Sequence, residues 1–268
     1  MDRISVVIPT YNRADYIIRS VKSALEQTVK PYEIIVVDDG STDNTKEKID
    51  ELNNECIKYV YQENGGAASA RNKGAEVATG NWIAFNDSDD VWRPEKLKEQ
   101  IEHAHSDDKF DLIYCAYSLT SPSEKIERVP YSENISELEG NIFLSLVVMN
   151  TIGTPTVMVK RNDFLSVGGF DTGLRCIEDW DFAVRFSKEH KIGFVNKVLV
   201  DAYTVDSGVS TNISEMFSVR CKMIAENKDV LLTNNIFDRA VSIMFEAAER
   251  MGCLEQVQKM LMLYLKGC

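Results

Sequence analysis

The chain predicts an α/β fold, with a mostly parallel central sheet covered by helices on both faces and a C-terminal helical appendage. Three observations predict it. Over the first 117 residues, short apolar runs alternate with stretches of helical period. The runs are unbroken rather than alternating, which marks strands buried on both faces of a parallel sheet. Two of them, Ile34-Ile35-Val36-Val37 and Trp82-Ile83-Ala84-Phe85, run almost directly into acids.

In order, strands are expected at residues 4–8, 33–37, 57–61, 81–86 and 111–117. Helices are expected between them at about 16–25, 43–52, 67–78 and 94–105. The last of these opens with Pro94, at a position where proline is tolerated. Residues 118–138 are polar and read as a loop or hairpin. A helix at 139–148, a strand at 156–160, a turn at Gly168-Gly169, a helix at about 179–189 and strands near 192–204 complete the first part. The polar stretch Ser207–Ser214 is read as a boundary. It separates a main domain, 1–212, from a helical extension, 213–268, and the former divides into two halves, 1–117 and 118–212. The extension should hold helices at about 215–232 and 236–265, the second breaking at Gly252 because glycine weakens a helix by about 1 kcal/mol.

A chain of 268 residues can bury a full core. The net charge of −12 argues against nucleic acid as a partner. Seven basic residues balance seven acidic ones from residue 215 onward, so the acidic surplus lies in 1–214. The six cysteines are scattered with no Cys-x-x-Cys pair, which argues against zinc and a disulfide framework and suits a reducing cytoplasm. No apolar run reaches 18 residues, and the N-terminus has no signal-peptide pattern.

Asp38-Asp39 and Asp87, Asp89, Asp90 would crowd five carboxylates at two strand ends, where they repel unless a cation or a donor-rich ligand sits among them. Oxygen ligands of this kind suit Mg²⁺ or Mn²⁺ with a diphosphate; acids at strand ends also simply start turns. Alternation along an extended chain would turn Asp87 and Asp89 to one side, with Asp90 directed toward the turn before Pro94. Tyr11 could stack on a base, and Asp39 could accept from a base N–H; a rim tyrosine and an Asx-turn before Gly40 are the plainer readings. Arg71 follows Gly65-Gly66, which let backbone approach a ligand; it suits a diphosphate or a surface ion pair. In Glu178-Asp179-Trp180, acids favour a helix N-terminus without further duty, while a carboxylate beside tryptophan in a dry cleft could be a general base. The methionine-rich stripe 243–265 reads first as core packing or an inter-subunit face, such as a homodimer contact, with shallow membrane docking as the lesser alternative.

Taken together, Val6-Val7-Ile8-Pro9-Thr10-Tyr11-Asn12, Val36-Val37-Asp38-Asp39-Gly40-Ser41-Thr42-Asp43, Ala70-Arg71-Asn72, Asp87-Ser88-Asp89-Asp90 and Gly169-Phe170-Asp171…Glu178-Asp179 resemble glycosyltransferase family 2, over about residues 3–210. The resemblance implies an inverting enzyme of the GT-A nucleotide-diphospho-sugar transferase fold, using a nucleotide-sugar donor, usually UDP-linked. It implies that Pro9, Thr10, Tyr11, Asp39 and Arg71 hold the nucleotide and that Asp87 lies near the ribose or sugar. Asp89 would bind Mn²⁺ or Mg²⁺, Asp179 would be the catalytic base, and Glu178 and Trp180 would lie on the acceptor side. Where many members carry Tyr-Arg-x-His after the last strand, this chain reads Tyr203-Thr204-Val205-Asp206, so Asp206 becomes a candidate metal ligand. The resemblance also implies a saccharide or lipid-linked acceptor, bacterial surface-polysaccharide assembly, and a cytoplasmic enzyme peripheral to the inner face of the membrane. A receiver-like signalling module, a sugar nucleotidyltransferase and a non-catalytic nucleotide-sugar-binding protein are the rival readings. A receiver would need its acid pair after the first strand. A nucleotidyltransferase would need a glycine- and base-rich first loop, which Pro9–Arg13 is not.

Overall fold

The computed structural model describes residues 2–106, 110–130, 134–204 and 213–267. The first part runs β1 (Ile4–Thr10), α1 (Ile17–Leu25), β2 (Glu33–Asp38), α2 (Thr45–Asp50), β3 (Ile57–Tyr61), α3 (Ala67–Val77) and β4 (Trp82–Phe85). There follow β5 (Val91–Trp92), α4 (Lys96–Ala104), β6 (Leu112–Thr120), β7 (Lys125–Val129), α5 (Phe143–Val148), β8 (Met158–Lys160), α6 (Arg161–Ser166), α7 (Glu178–Phe186) and β9 (Ile192–Tyr203). Helices α8 (Ile213–Glu226), α9 (Lys228–Thr233), α10 (Phe237–Arg250) and α11 (Leu254–Gly267) close the chain.

All seven β1 residues are buried, and the pleat divides them between two cores. Val7, with Ile35, Val37, Ile83 and Phe85, faces the larger core, which α3, α5 and α7 cover. Val6 and Ile8, with Ile34, Val36 and Ala84, face a second core closed by Ile17, Val21 and Ala24 of α1, Ile49 of α2 and Leu97 of α4. An unbroken apolar strand is therefore a strand with two buried faces, as its composition implied. At about 25 cal/mol per Å² of apolar surface, this double burial is the main stabilising term of the sheet.

The strand order is β3-β2-β1-β4-β8-β6-β9-β5, with β7 on β6. Strands β1 to β4 pair in parallel, and β6 pairs in parallel with β9. The sheet departs from a simple parallel series at β8, which lies antiparallel between β4 and β6. Short β5 pairs antiparallel with β9 and was hidden in the acid-rich stretch. From β1 the chain winds outward through β2 and β3, then crosses back to β4, so strand order reverses between β1 and β4. The carboxyl ends of those strands form a crevice.

Helix α4 begins at Lys96 with Glu95 as its cap, so Pro94 stands just outside it. The expected 215–232 helix is two helices divided at Asn227, and the expected break falls at Gly252, where φ is +71°. From the C-terminal helices, Phe217, Ile224, Met244, Val257 and Leu261 join the larger core, while Met251, Met262 and Leu263 stay exposed. No helix among the described residues is long and apolar enough to cross a membrane. Gly74 marks the tightest contact between α3 and the sheet: a Cβ there would lie 2.3 Å from Val7 Cγ1.

Candidate active site

Two loops leave the carboxyl ends of β1 and β2 stitched together. The Asn12 side chain accepts from the Thr42 N–H at 2.8 Å, and the Asn12 N–H donates to Ser41 Oγ at 2.9 Å. Asp43 accepts from the Ala14 N–H at 3.1 Å. Pro9 and Thr10 are buried at the end of β1, and Tyr11 projects with 48% exposure. Thr10 Oγ1 is buried without a hydrogen-bond partner among the described residues.

The acid pair after β2 divides its work. Asp38 accepts from the Ser41 N–H at 2.7 Å and from the Tyr59 hydroxyl at 2.5 Å, which makes it the turn-former. Asp39, 4% exposed, accepts from Gln62 Nε2 at 2.7 Å and from the Gly65 and Gly66 N–H groups at 2.8 Å each. Gly66, at φ +89°, can present its N–H this way because it has no side chain. The glycine pair thus brings backbone to Asp39 itself. A carboxylate offers about four acceptor sites, and three are filled, so one on Oδ2 remains for a ligand N–H.

Residues 87–90 form a turn, closed by the Asp90 N–H to Asp87 carbonyl bond at 3.2 Å, and not the extended segment that strict alternation assumed. Asp87 meets Arg71 Nη2 at 2.6 Å. The Asp89 side chain has no hydrogen-bond donor from another side chain among the described residues; its nearest cation is Arg13, at 3.9 Å. Arg19 donates to the Asp89 carbonyl and stacks 4.4 Å over the Tyr203 ring. Burial and the neighbouring Asp87 raise the Asp89 carboxyl above its ordinary range, with Arg13 and Arg19 opposing. Asp90, expected near Pro94, instead accepts from the Tyr203 N–H at 2.9 Å, because β5 pairing with β9 draws it inward. Burial, then Asp87, raise its carboxyl well above the usual range.

Asp179 lies in the first turn of α7, and its Oδ1 accepts from the Trp180 N–H at 2.7 Å. Burial, then the charge of Glu178, lift its carboxyl from 3.8 to about 7, against the pull of Arg71. Trp180 is itself 6% exposed, and its indole N–H donates to the Leu146 carbonyl at 2.5 Å. Trp180 therefore packs inward and offers no face to solvent, while Asp179 beside it is half-buried. The Glu178 carboxylate meets Arg71 Nη1 at 2.7 Å. Arg71 therefore forks between Asp87 and Glu178. Although burial opposes its charge, the two acids more than compensate.

The structure thus joins Asp87, Arg71 and Glu178 by direct contact, with Asp89 and Asp179 within electrostatic reach. Asp206 lies outside the described residues. Arg13, Arg19, Gln62 and Tyr117 were not singled out from the sequence. Only Arg13 carried a signal, as a cation in the first strand-end loop. Burial, then the charges of Asp179 and Asp90, push the Tyr117 hydroxyl up to about 12.

Among the described residues, Asp111, Asp163 and His190 also bring ligand atoms within 4.8 Å of one another. They lie at the amino end of β6, away from the crevice. Asp111 there already binds Lys160 at 2.6 Å and the Lys191 N–H at 3.1 Å.

The family model for glycosyl transferase family 2 matches residues 5–162. An uncharacterized glycosyltransferase of Rickettsia prowazekii, RP339, is 35% identical over 199 residues, 74% of this chain and 62% of that protein. A Bacillus subtilis protein named "Putative teichuronic acid biosynthesis glycosyltransferase TuaG" is 40% identical over 166 residues, 59% of this chain and 62% of that one. The chain therefore spans less than two thirds of the length of these relatives. Among solved structures, S. aureus TarS 1-349 in complex with UDP-GlcNAc matches 98% of this chain and 79% of its own, with TM-score 0.75 and 19% identity. The mannosyltransferase PcManGT of Pyrobaculum calidifontis, in complex with GDP-Man and Mn²⁺, matches 93% and 75%, with TM-score 0.64 and 18% identity. These likenesses show the GT-A fold.

Proposed function

The chain belongs to glycosyl transferase family 2, and we propose that it moves a sugar from a UDP-sugar to a hydroxyl of a saccharide or lipid-linked acceptor, by one inverting displacement. The observation that carries this reading is the placement of Asp179. It is a half-buried carboxyl held near 7, beside Glu178, whose bond to Arg71 ties it to Asp87 after β4. That is a base poised near working pH, beside an acid cluster that favours a cation.

In this reading Tyr11 stacks on the base, Asp39 accepts its N–H through the remaining site on Oδ2, and Pro9 and Thr10 line the nucleotide. The unpartnered Thr10 hydroxyl supports a ligand contact at that point. Asp87 faces the ribose or sugar, and Arg71 flanks the diphosphate. Mg²⁺ or Mn²⁺ fits Asp89, whose carboxyl is crowded by Asp87 and met by no side-chain donor among the described residues. Such an ion, held by Asp89, would neutralise the charge that develops on the diphosphate. Asp179 removes the acceptor hydroxyl proton as that oxygen bonds to the anomeric carbon. The bond from that carbon to the diphosphate oxygen breaks, and its electron pair leaves with the nucleotide. Attack from the face opposite the leaving group inverts the centre.

Similarity to a protein named for teichuronic acid biosynthesis supports a setting in surface-polysaccharide assembly. Asp179→Asn should keep UDP binding in the presence of Mn²⁺ and lose transfer by about 10²–10⁴-fold. Wild-type turnover in that variant would remove Asp179 from the role. A thermal-shift screen of nucleotides with and without Mn²⁺ identifies the donor base; stabilisation by GDP or another nucleotide and not by UDP would reject the UDP assignment.

A further inference from the structure

Arg71, Asp87 and Glu178 come from three segments, with 16 and 107 positions separating the arginine from its partners. The Arg71 side chain is only 7% exposed, and both forks are short, at 2.6 and 2.7 Å. A guanidinium so enclosed has little freedom to turn, and its Nε is buried with no partner among the described residues. Its planar group also lies 5.7 Å over the Phe170 ring. The fork is a rigid strut between the turn after β4 and the first turn of α7.

That first turn needs holding. Ile177, which precedes it, sits at φ +52°, in the left-handed region that a β-branched residue rarely enters. Such a conformation persists only where surrounding contacts over-determine it. Adjacent helical residues differ by about 100° around the axis, so fixing the Glu178 side chain also fixes the rotation of the turn that carries Asp179. We propose that Glu178 is a positioning residue: through Arg71 it locks the first turn of α7 to Asp87 and so sets where the Asp179 carboxylate stands relative to the donor. This deepens the functional reading above and rests on Asp179 being the base.

The same bridge bears on pH dependence. Among the described residues, the charged and titratable groups facing Asp179 are Glu178 on α7, Cys176 just before it, Arg71 on α3, Asp87 after β4 and Tyr117 on β6. Glu178 disfavours the ionised carboxylate and Arg71 favours it. Removing the Glu178 charge relieves the first effect and leaves Arg71 with one acid fewer to neutralise, so both changes ease ionisation of Asp179. A loss of fold quality alone would lower turnover without moving the acid limb of the pH profile.

The test uses the full chain, with UDP release from UDP-glucose or UDP-N-acetylglucosamine as the rate and UDP binding in Mn²⁺ as the affinity. Glu178→Gln should lower kcat about tenfold or more and move the acid limb of kcat/KM down by about one pH unit. UDP affinity should stay within about threefold, since no donor contact is assigned to Glu178. An unmoved limb, or loss of UDP affinity in step with kcat, overturns the proposal. Glu178→Asp keeps the charge but shortens the reach; it should lower kcat with the limb close to wild type, and wild-type kcat overturns the proposal even where the glutamine variant fails to fold. The Asp179→Asn control separates the two readings. If it stays active, the base assignment fails and this inference falls with it. If it is inactive while Glu178→Gln matches wild type, only the positioning role fails.

Discussion

Asp179→Asn should make the protein more stable at pH 8 while abolishing transfer. Its carboxyl rises from 3.8 in an open chain to about 7 in the fold. A raised carboxyl contributes stability that is complete below 3.8 and is lost as pH climbs through about 7, because the fold resists the ionised form. The span sets a ceiling of about 4 kcal/mol. Asp179 keeps a partly open face, and solvent screening reduces the expected gain to about 2 kcal/mol. Asparagine has the same shape and can still accept from the Trp180 N–H, so the gain at pH 8 should approach that figure. At pH 4 no more than about 0.6 kcal/mol should remain, since pH 4 lies only just above the open-chain value of 3.8 and far below 7. Urea unfolding followed by tryptophan fluorescence reads both values, and for a slope near 3 kcal/mol per molar the midpoint shift at pH 8 is about 0.7 M. An equal difference between variant and wild type at both pH values would refute the argument that Asp179 is held against ionisation.

Two other perturbations probe groups near the crevice and beneath it. Lys96 is fully buried, donating to Gln100 Oε1 at 2.7 Å and lying 4.0 Å over the Trp92 ring, and burial lowers its amine from 10.5 to about 8. A depressed lysine costs stability below pH 8, and the cost fades as pH rises toward 10.5, so Lys96→Met should gain about 2 kcal/mol more at pH 7 than at pH 10. The same urea measurement checks it, and a pH-independent difference would contradict it. Arg13 is the nearest cation to Asp89, at 3.9 Å and partly open to solvent. Arg13→Ala should therefore bind Mn²⁺ without nucleotide up to about fivefold more tightly, the scale of an exposed ion pair. Unchanged or weaker Mn²⁺ binding by calorimetry would place the ion away from Asp89.

The strand pattern was legible because burial on both faces makes the centres of β1 and β2, Val6–Ile8 and Ile34–Val37, unbroken apolar runs. The crevice was legible for the same reason: acids directly after such strands stand out. β8 was visible as a strand but not in its direction. Nothing in Met158–Lys160 records that it runs antiparallel between β4 and β6, since three residues carry no register information of their own. Asp39 and Asp38 look alike in sequence; only the distant Gln62, Gly65 and Tyr59 tell the acid that gathers the glycine loop from the one that forms the turn. The bond between Glu178 and Arg71 could not be read from the sequence, because the two lie 107 positions apart. Arg19, in α1, carried no signal of its own. Its role depends on Tyr203, brought next to it by the last strand.

Gly74 stands three residues after Arg71 on α3, with Val7 pressed where its side chain would be. The depth at which the helix seats on the sheet is thus fixed by a missing methyl group nearly one turn from the arginine. Any bulk at that point would lift the helix and carry the guanidinium with it, stretching the two bonds that tie the turn after β4 to the first turn of α7. A buried methyl-sized gap between helix and sheet therefore governs how closely those two turns are drawn together.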